Sequence, residues 1–523
     1  MSKQSRRVVF VIFAAVAGVV SGLAFLAAAE LSALLVARDA SPVLAVGSFV
    51  IDVVPQPLKE FAISTFGEFD KVALLIGLGL AVVIASAVAG ILQLVRPPLG
   101  VIALGIAGAL SVAATTTRAG VTPFAFLPPV IGAVVGSVAL VFLCRRLASW
   151  QRSAAIPAAE ARPEDGAAVD RRRFFALAGI AGASALVVGI TARAVNAATA
   201  SVSAIRKGLR LPAARTSVTI PEGAELDIPG ISPLFTPNAD FYRVDTALTV
   251  PTVDPSTWRL VIDGMVDKRV ELTFEDLVKM GLDEYAITLT CVSNVVGGDL
   301  VGNALWLGVP IREVLRLAAP HADADMVLSR SVDGYTASTP LSALTDDGLD
   351  AIFAVGMNGE PLPLEHGFPV RMVVPGLYGY VSATKWVTQL TVTTFEKDEA
   401  YWTPRGYSAE APIKFSSRID TPKIGKSVAA GRIAIAGVAW AQTVGIEAVE
   451  VRIDDGDWQR ATLSTPINTD TWVQWMLEWD ATPGTHYVTV RAIDKDGEMQ
   501  VEESAPIAPD GSTGWQRSLI SVT

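Results

Sequence analysis

Apolar residues follow two different rhythms along this chain, and the change falls near Asn196. Before it, five apolar stretches are long enough to cross a bilayer as helix, which takes about 20 residues. They are 8–31, 72–95, 101–117, 124–143 and 174–194. The third is the weakest, because the polar run 115–118 frays its end. No Asp, Glu, Lys or His falls in the middle of any stretch. The pattern therefore predicts an anchor, or a platform for a lipid-soluble partner, rather than an ion path.

Beyond residue 196 the rhythm shortens. A linker over 196–232 carries Pro212, Pro221 and Pro229 as punctuation. From 233 to about 410, short strands mix with amphipathic helices. Residues 258–264 read as a strand running into a turn. Residues 273–279 read as a helix with Thr273 at the cap and Asp276 three positions on. Residues 286–290 are a buried strand ending at Cys291, which opens the Gly-rich loop 292–299. Residues 309–315 read as a helix with Pro310 near its first turn. After about Thr421 the pattern is strands alone. Segments 432–437, 448–453 and 486–493 alternate, with Asp/Gly turns at 454–457 and 494–497, as in an immunoglobulin-like sandwich. The expected fold is multi-domain: an α-helical transmembrane bundle of about five spans, an α+β domain, then an all-β sandwich. The boundaries follow as spans one to four over 1–145, an Arg-rich link over 146–173 and the fifth span over 174–195. The linker takes 196–232, the α+β domain 233–410 and the sandwich 411–523.

Charge orients this plan. Lys3, Arg6 and Arg7 precede the first span, Arg96 follows the second, and Arg145, Arg146, Arg152, Arg162 and Arg171 to Arg173 fill the link before the fifth. With five spans these regions share one side, the cytoplasm by the positive-inside rule. The expectation is a multi-pass cell-membrane protein with everything after Ala194 on the extracytoplasmic side. Asp170 to Gly179, with paired arginines before an aromatic and an apolar run, is similar to a twin-arginine export signal. An ordinary positive-inside flank has the same composition. The net charge of −10 argues against nucleic acid as a partner. Two cysteines and three histidines, with no CxxCH, leave no four-cysteine iron–sulfur site and no attached haem in this chain.

A lone cysteine after a strand is ordinarily a small buried hydrophobe. The setting of Cys291 is different, because strand ends that open into Gly-rich loops let ligands approach the backbone. Here the sequence resembles the sulfite oxidase family. The resemblance rests on 288–294 and the following 302–310 with Trp306, on 235–242, on 357–371 (MNGEPLPLEHGFPVR), and on Lys385-Trp386. It covers roughly 230–505. It implies a molybdopterin-binding domain over 233–410, a dimerisation-type sandwich after it, and Mo-molybdopterin as cofactor. Cys291 would be the metal ligand. His366, Arg371 and Lys385 would contact the pterin and its phosphate, and Asn238 and Asn294 would lie near the metal. Tyr407 would stand beside the metal-bound oxygens as a catalytic phenol. A thiolate suits a high-valent transition metal, and a guanidinium fork suits a phosphate.

The departures concern substrate. Where the family's sulfite oxidisers carry arginines, this chain has Pro237, Val296 and, near the third position, Gly445. Arg405, Arg432 and Arg452 are the cations left to compensate. The implied reaction is two-electron oxo transfer on a small-molecule substrate, with a separate electron partner such as the quinone pool or a cytochrome. A sulfoxide- or N-oxide-type reductase on the same scaffold is the enzymatic alternative. A non-catalytic adhesion or docking protein is the alternative of another class, and a homodimer stays open.

Overall fold

The computed structural model describes residues 3–36, 42–54, 70–116, 124–153, 179, 201–247 and 249–523. It divides into two compact units, 1–200 with 246–249, and 201–245 with 250–523.

The first unit contains α1 Lys3–Val36, α2 Pro42–Val53, α3 Asp70–Val95, α4 Leu99–Thr116 and α5 Leu127–Ser153. Among the described residues, four helices are long and apolar enough to cross a membrane: Arg7–Ala33, Ala73–Val95, Leu99–Thr116 and Leu127–Arg152. They coincide with the first four expected spans. The fifth, over 174–194, and the arginine-flanked motif before it lie outside the described residues, Gly179 excepted. The packing is of the kind small residues permit between apolar helices. A Cβ on Gly18 would strike the Ser86 carbonyl of α3, and one on Gly90 would strike the Ala14 carbonyl of α1. Ile76, Leu80 and Val138 face outward, each more than half exposed, a pattern suited to lipid. Helix α2 was not legible as an apolar stretch of its own. Its start is held by Glu30 of α1, whose Oε1 accepts from Val43 N–H at 3.0 Å, a carboxylate at a helix N-terminus.

In the second unit the strands are β1 Arg259–Gly264, β2 Val270–Thr273, β3 Asp283–Thr290, β4 Val301–Pro310, β5 Met326–Ser331, β6 Thr336–Pro340, β7 Ile352–Met357, β8 Glu360–Pro361, β9 Arg371–Val373 and β10 Val387–Thr393. One sheet has the order β2-β1-β10-β5-β6 and another β3-β4-β7-β8, with β9 on β7. Helix α6, Phe274–Lys279, starts at Thr273 with both halves of a capping box: the Thr273 side chain accepts from Asp276 N–H, and Asp276 returns a bond to Thr273 N–H. The expected helix at 309–315 is α7, Ile311–Arg316. It begins later than expected, because Val309 and Pro310 complete β4. Of the stretch expected as a linker, residues 201–232 pack with the second unit. Residues 201–208 are helical, and Arg206 donates to Leu362 O and Pro361 O, both at 2.7 Å. Val202 is buried, and Leu209 and Leu211 pack on the apolar core.

The sandwich follows as β11 Ser416–Thr421, β12 Gly431–Trp440, β13 Ile446–Ile453, β14 Gln459–Arg460, β15 Thr462–Leu463, β16 Val473–Ala481, β17 Gly484–Asp494 and β18 Gln516–Val522. Its sheets run β11-β12-β16-β15 and β14-β13-β17-β18. Their inner faces bury Ile435, Val449, Val451, Trp475, Val488 and Val490, the inward half of the alternation read from sequence.

Candidate functional site

Strand β3 positions the site. Ile287 and Leu289 go into a core with Phe241, Trp306 and Phe368, and the strand delivers Cys291 to its end, 8% exposed. Cys291 N–H donates to Leu300 O at 2.9 Å and Asn294 N–H to Cys291 O at 3.0 Å. The Asn294 side chain closes the same loop by accepting from Leu300 N–H at 3.0 Å. Burial pushes the Cys291 thiol above its ordinary value, while bonds from Ser293 and the Lys385 ammonium act the other way. A cation that takes the thiolate would reverse the balance, since a coordinated thiol loses its proton outright.

Of the expected residues, Lys385 lies within electrostatic reach of this thiol, and His366 and Arg371 adjoin Lys385 in turn. His366 ends a 3₁₀ turn, Leu364–His366, and is 2% exposed. Its Nε2 meets Asn238 O at 3.1 Å, and its ring stands edge-on to Phe241. Burial first, and then the Arg371 charge, pull it down to about 4, so it is a neutral imidazole at pH 7. Arg371, on β9, is 5% exposed. Its guanidinium lies over the Trp306 ring at 5.1 Å and reaches three carbonyls, Met372 O at 3.3 Å, His366 O at 3.3 Å and Ala383 O at 3.5 Å. No carboxylate pairs with it among the described residues, and burial lowers it from 12.5 to about 10. A buried guanidinium held by long bonds to neutral carbonyls is a cation prepared for an anion. Lys385 is already engaged. Its Nζ is paired with Asp245 at 2.7 Å and bonds Glu365 O at 3.1 Å. Burial nevertheless lowers it to about 8.

Asn238 also has its side chain engaged. Nδ2 donates to Glu360 at 2.7 Å, and Oδ1 accepts from Asn358 at 2.9 Å, so Asn238 offers His366 a carbonyl rather than an amide. Tyr407 packs its ring on Tyr380 and Trp402 at 5.6 and 5.1 Å, in an apolar cluster with Val292 and Tyr378 beside Cys291. Sequence reasoning passed over other members of the site. Tyr242 is half-buried, within electrostatic reach of both Cys291 and Arg371, and desolvation raises its phenol. Tyr335 and Tyr378 also feel the Cys291 charge, and the Tyr335 hydroxyl donates to Tyr380 O at 2.7 Å. Asp245, which neutralises Lys385, also holds Arg243 at 2.8 Å. Tyr242 belonged to a segment that carried the resemblance, but nothing in its spacing distinguished it from packing.

The site thus offers a soft donor at one point and an unneutralised buried guanidinium at another, with neutral imidazole and phenols between. The buried Ser331 hydroxyl makes no hydrogen bond among the described residues. It shares a face of β5 with Ser329, which bonds Thr384 beside Lys385 at 2.7 Å. These features fit a cofactor with a metal–sulfur end and an anionic end. They do not resemble a site of clustered His, Asp or Glu ligands, of which none is found among the described residues.

Cys291, Asn294, His366, Arg371 and Lys385 fall inside a domain matched in known proteins, and Asn238 and Tyr407 fall outside its bounds. Residues 247–402 match the oxidoreductase molybdopterin binding domain, and 416–490 match a bacterial Ig domain. The chain is 29% identical over 339 residues to mitochondrial sulfite oxidase of Mus musculus, covering 55% of this chain and 61% of that one. It is 28% identical over 354 residues to sulfite oxidase of Arabidopsis thaliana, covering 55% and 89%. The sulfane dehydrogenase SoxCD of Paracoccus pantotrophus is a solved structure matched at 22% identity and a TM-score of 0.49, over 58% of this chain and 88% of that one. The C-terminal unit therefore carries a molybdopterin-binding oxidoreductase domain followed by an Ig-like domain. Over these two domains the chain resembles the sulfite oxidases. It spans about three fifths of the length of the mammalian relatives.

Proposed function

We propose that this chain is a membrane-anchored enzyme performing two-electron oxo transfer at a mononuclear molybdenum ligated by Cys291. The observation that carries the reading is a buried thiol within electrostatic reach of the Lys385 ammonium, with Tyr242 within reach of both that thiol and Arg371, a buried guanidinium paired with no carboxylate among the described residues. Molybdenum held by molybdopterin supplies the oxo-transfer chemistry when bound. Cys291 gives the protein's soft ligand. Arg371 is the first partner for the cofactor's anionic end, and Lys385 joins it while shared with Asp245. His366, neutral at pH 7, offers one ring nitrogen to the pterin's polar edge while the other is fixed on Asn238 O. Asn238 and Asn294 serve through geometry, the first by its backbone and the second by closing the 294–300 loop. Tyr407 closes the aromatic wall beside Cys291, where a phenol can donate to the reacting oxygen or move its proton.

The catalytic unit lies on the extracytoplasmic side of the cell membrane in this reading, and electrons pass to or from a separate quinone or cytochrome. A second direction, reduction of an uncharged sulfoxide or N-oxide, is favoured by one specific feature. Lys385 is the cation that acts on the Cys291 thiol, and it is already paired with Asp245.

The test is Cys291→Ser in the full chain. A hard hydroxyl in place of a soft thiolate should change the metal's absorption and abolish turnover, with the melting profile of the apoprotein retained. Turnover at the wild-type rate would refute the assignment.

A further inference from the structure

Strand β3 is the edge of its sheet, since β4 pairs with it on one side only. Its other side exposes backbone groups that need partners, and the Ig-like domain supplies those at Ala286 and Thr288. Asn468 Nδ2 donates to Ala286 O at 3.0 Å. Thr288 N–H donates to Asp470 O at 3.0 Å, and Trp472 N–H donates to the Thr288 hydroxyl at 2.9 Å. Gln442, in the turn after β12 and 7% exposed, completes the edge. Its Nε2 donates to Thr288 O and to Asp470 O, and its Oε1 accepts from Gly376 N–H at 3.3 Å. Gly376 opens the turn that carries Tyr378, which lies within electrostatic reach of Cys291.

We infer that Gln442 is a positioning residue for Cys291: a single amide from the Ig-like domain ties together the strand that ends at the thiol and the turn that walls it. Three of its four hydrogen-bonding capacities are used, and they run to three separate segments. Thr288 is three residues from Cys291, so slack at Thr288 O is transmitted along one extended strand to the sulfur. The opposite side of the loop is held from the same domain. Ser512 donates to Asn294 O at 2.7 Å, and Arg418 donates to Gly298 O at 3.0 Å. The Ig-like domain therefore forms part of the wall that fixes the thiol, whatever else it binds. The inference rests on Cys291 being the metal ligand only for its spectroscopic arm.

The experiment compares Gln442→Met, which keeps volume and removes all three bonds, with Asn468→Ala, which removes a bond to the same edge further from Cys291. Both are made in the full chain with Cys144→Ser, so that Cys291 is the single thiol. In cofactor-free protein, Gln442→Met should raise the rate of Cys291 alkylation several-fold, and Asn468→Ala should leave it unchanged. In loaded protein, Gln442→Met should shift the Mo(V) resonance and lower kcat on the order of 10-fold at similar KM, as a misplaced ligand does. Gln442→Glu keeps the acceptor for Gly376 N–H but sets a second oxygen against the Thr288 and Asp470 carbonyls, so it should raise the alkylation rate at least as far as Gln442→Met, and it serves if the Met variant does not fold. Equal alkylation rates and an unchanged resonance at a lower melting temperature would make Gln442 merely structural and overturn the inference. If Cys291→Ser leaves the resonance unchanged, the ligand assignment has failed, and the alkylation arm alone then decides the role of Gln442.

Discussion

Replacing Arg371 by methionine should stabilise the cofactor-free protein while weakening its hold on the cofactor. At pH 7 the guanidinium is charged both in the fold and in the unfolded chain. Folding therefore bears the full cost of burying it without an anion. Lowering its value from 12.5 to about 10 corresponds to roughly 3 kcal/mol against the charged form. Its compensation is modest. Bonds of 3.3, 3.3 and 3.5 Å to three carbonyls are long, worth about 0.5 kcal/mol each. Methionine keeps much of the contact with the Trp306 ring. The balance favours the variant by about 1 kcal/mol, a rise of roughly 1–2 °C in melting temperature for a unit of this size. In the loaded protein the sign reverses, because a charge-assisted bond worth about 2 kcal/mol is lost. Calorimetry of the apoprotein in detergent, with molybdenum and pterin content of the loaded protein, reads both effects. A variant that melts lower without cofactor yet keeps full pterin content would refute the reasoning, and Arg371 would then be a structural cation.

Three further expectations follow from the site and the chain's plan. His366, held near 4 against an ordinary 6.5, contributes stability that is complete above about pH 6.5 and is lost as pH falls toward 4, at most about 3 kcal/mol; urea melts against pH should show this acid limb in wild type and lose it in His366→Gln. Reporter fusions after Ala194 should report the extracytoplasmic side and fusions at Ala155 the cytoplasm, and the opposite pattern would mean that the number of spans is not five. Steady-state kinetics with sulfite and a dye acceptor should give poor turnover, whereas a Michaelis constant in the low micromolar range would show that other cations serve the pocket.

What was legible in the sequence was what is local. The capping box of α6 lies within four residues, 273–276, and a pattern of that length needs no partner from elsewhere. The end of β3 at Cys291 and the alternation of β12, β13 and β17 were readable for the same reason. The rest depends on partners distant along the chain. Lys385 meets Asp245 across 140 residues, and Gln442 meets Thr288 across 154. No periodicity or spacing encodes such pairs. The stretch 196–232 was read as a linker because Pro212, Pro221 and Pro229 outweighed Val202, Leu209 and Leu211, whose apolar faces find a core only once the fold exists. Helix α2 was missed because twelve residues are too few to span, and because its first turn is capped by Glu30 rather than by a neighbour in sequence.

The charge around the thiol bears on substrate in a way that sequence alone left open. Three cations were candidates to replace the arginines absent at Pro237, Val296 and Gly445, and each has another engagement. Arg405 lies over the Tyr401 ring at 3.8 Å and donates to Tyr401 O at 2.6 Å. Arg432 is paired with Glu478 on the sandwich surface, and Arg452 stacks on Trp458 at 4.7 Å. Gly445 itself packs against the Lys495 side chain, so closely that a Cβ there would stand 3.1 Å from its methylenes. A larger residue at 445 would have to displace that lysine. What lies near Cys291 instead is aromatic: Tyr335, Tyr378 and, beside Val292, Tyr380 and Tyr407. Phenols and ring faces pack against neutral groups and can hydrogen-bond one polar oxygen, but they do not offset two negative charges in a desolvated pocket. A substrate with a single polar oxygen on an uncharged body suits that wall, and a small dianion would have to draw Lys385 away from Asp245 to be held.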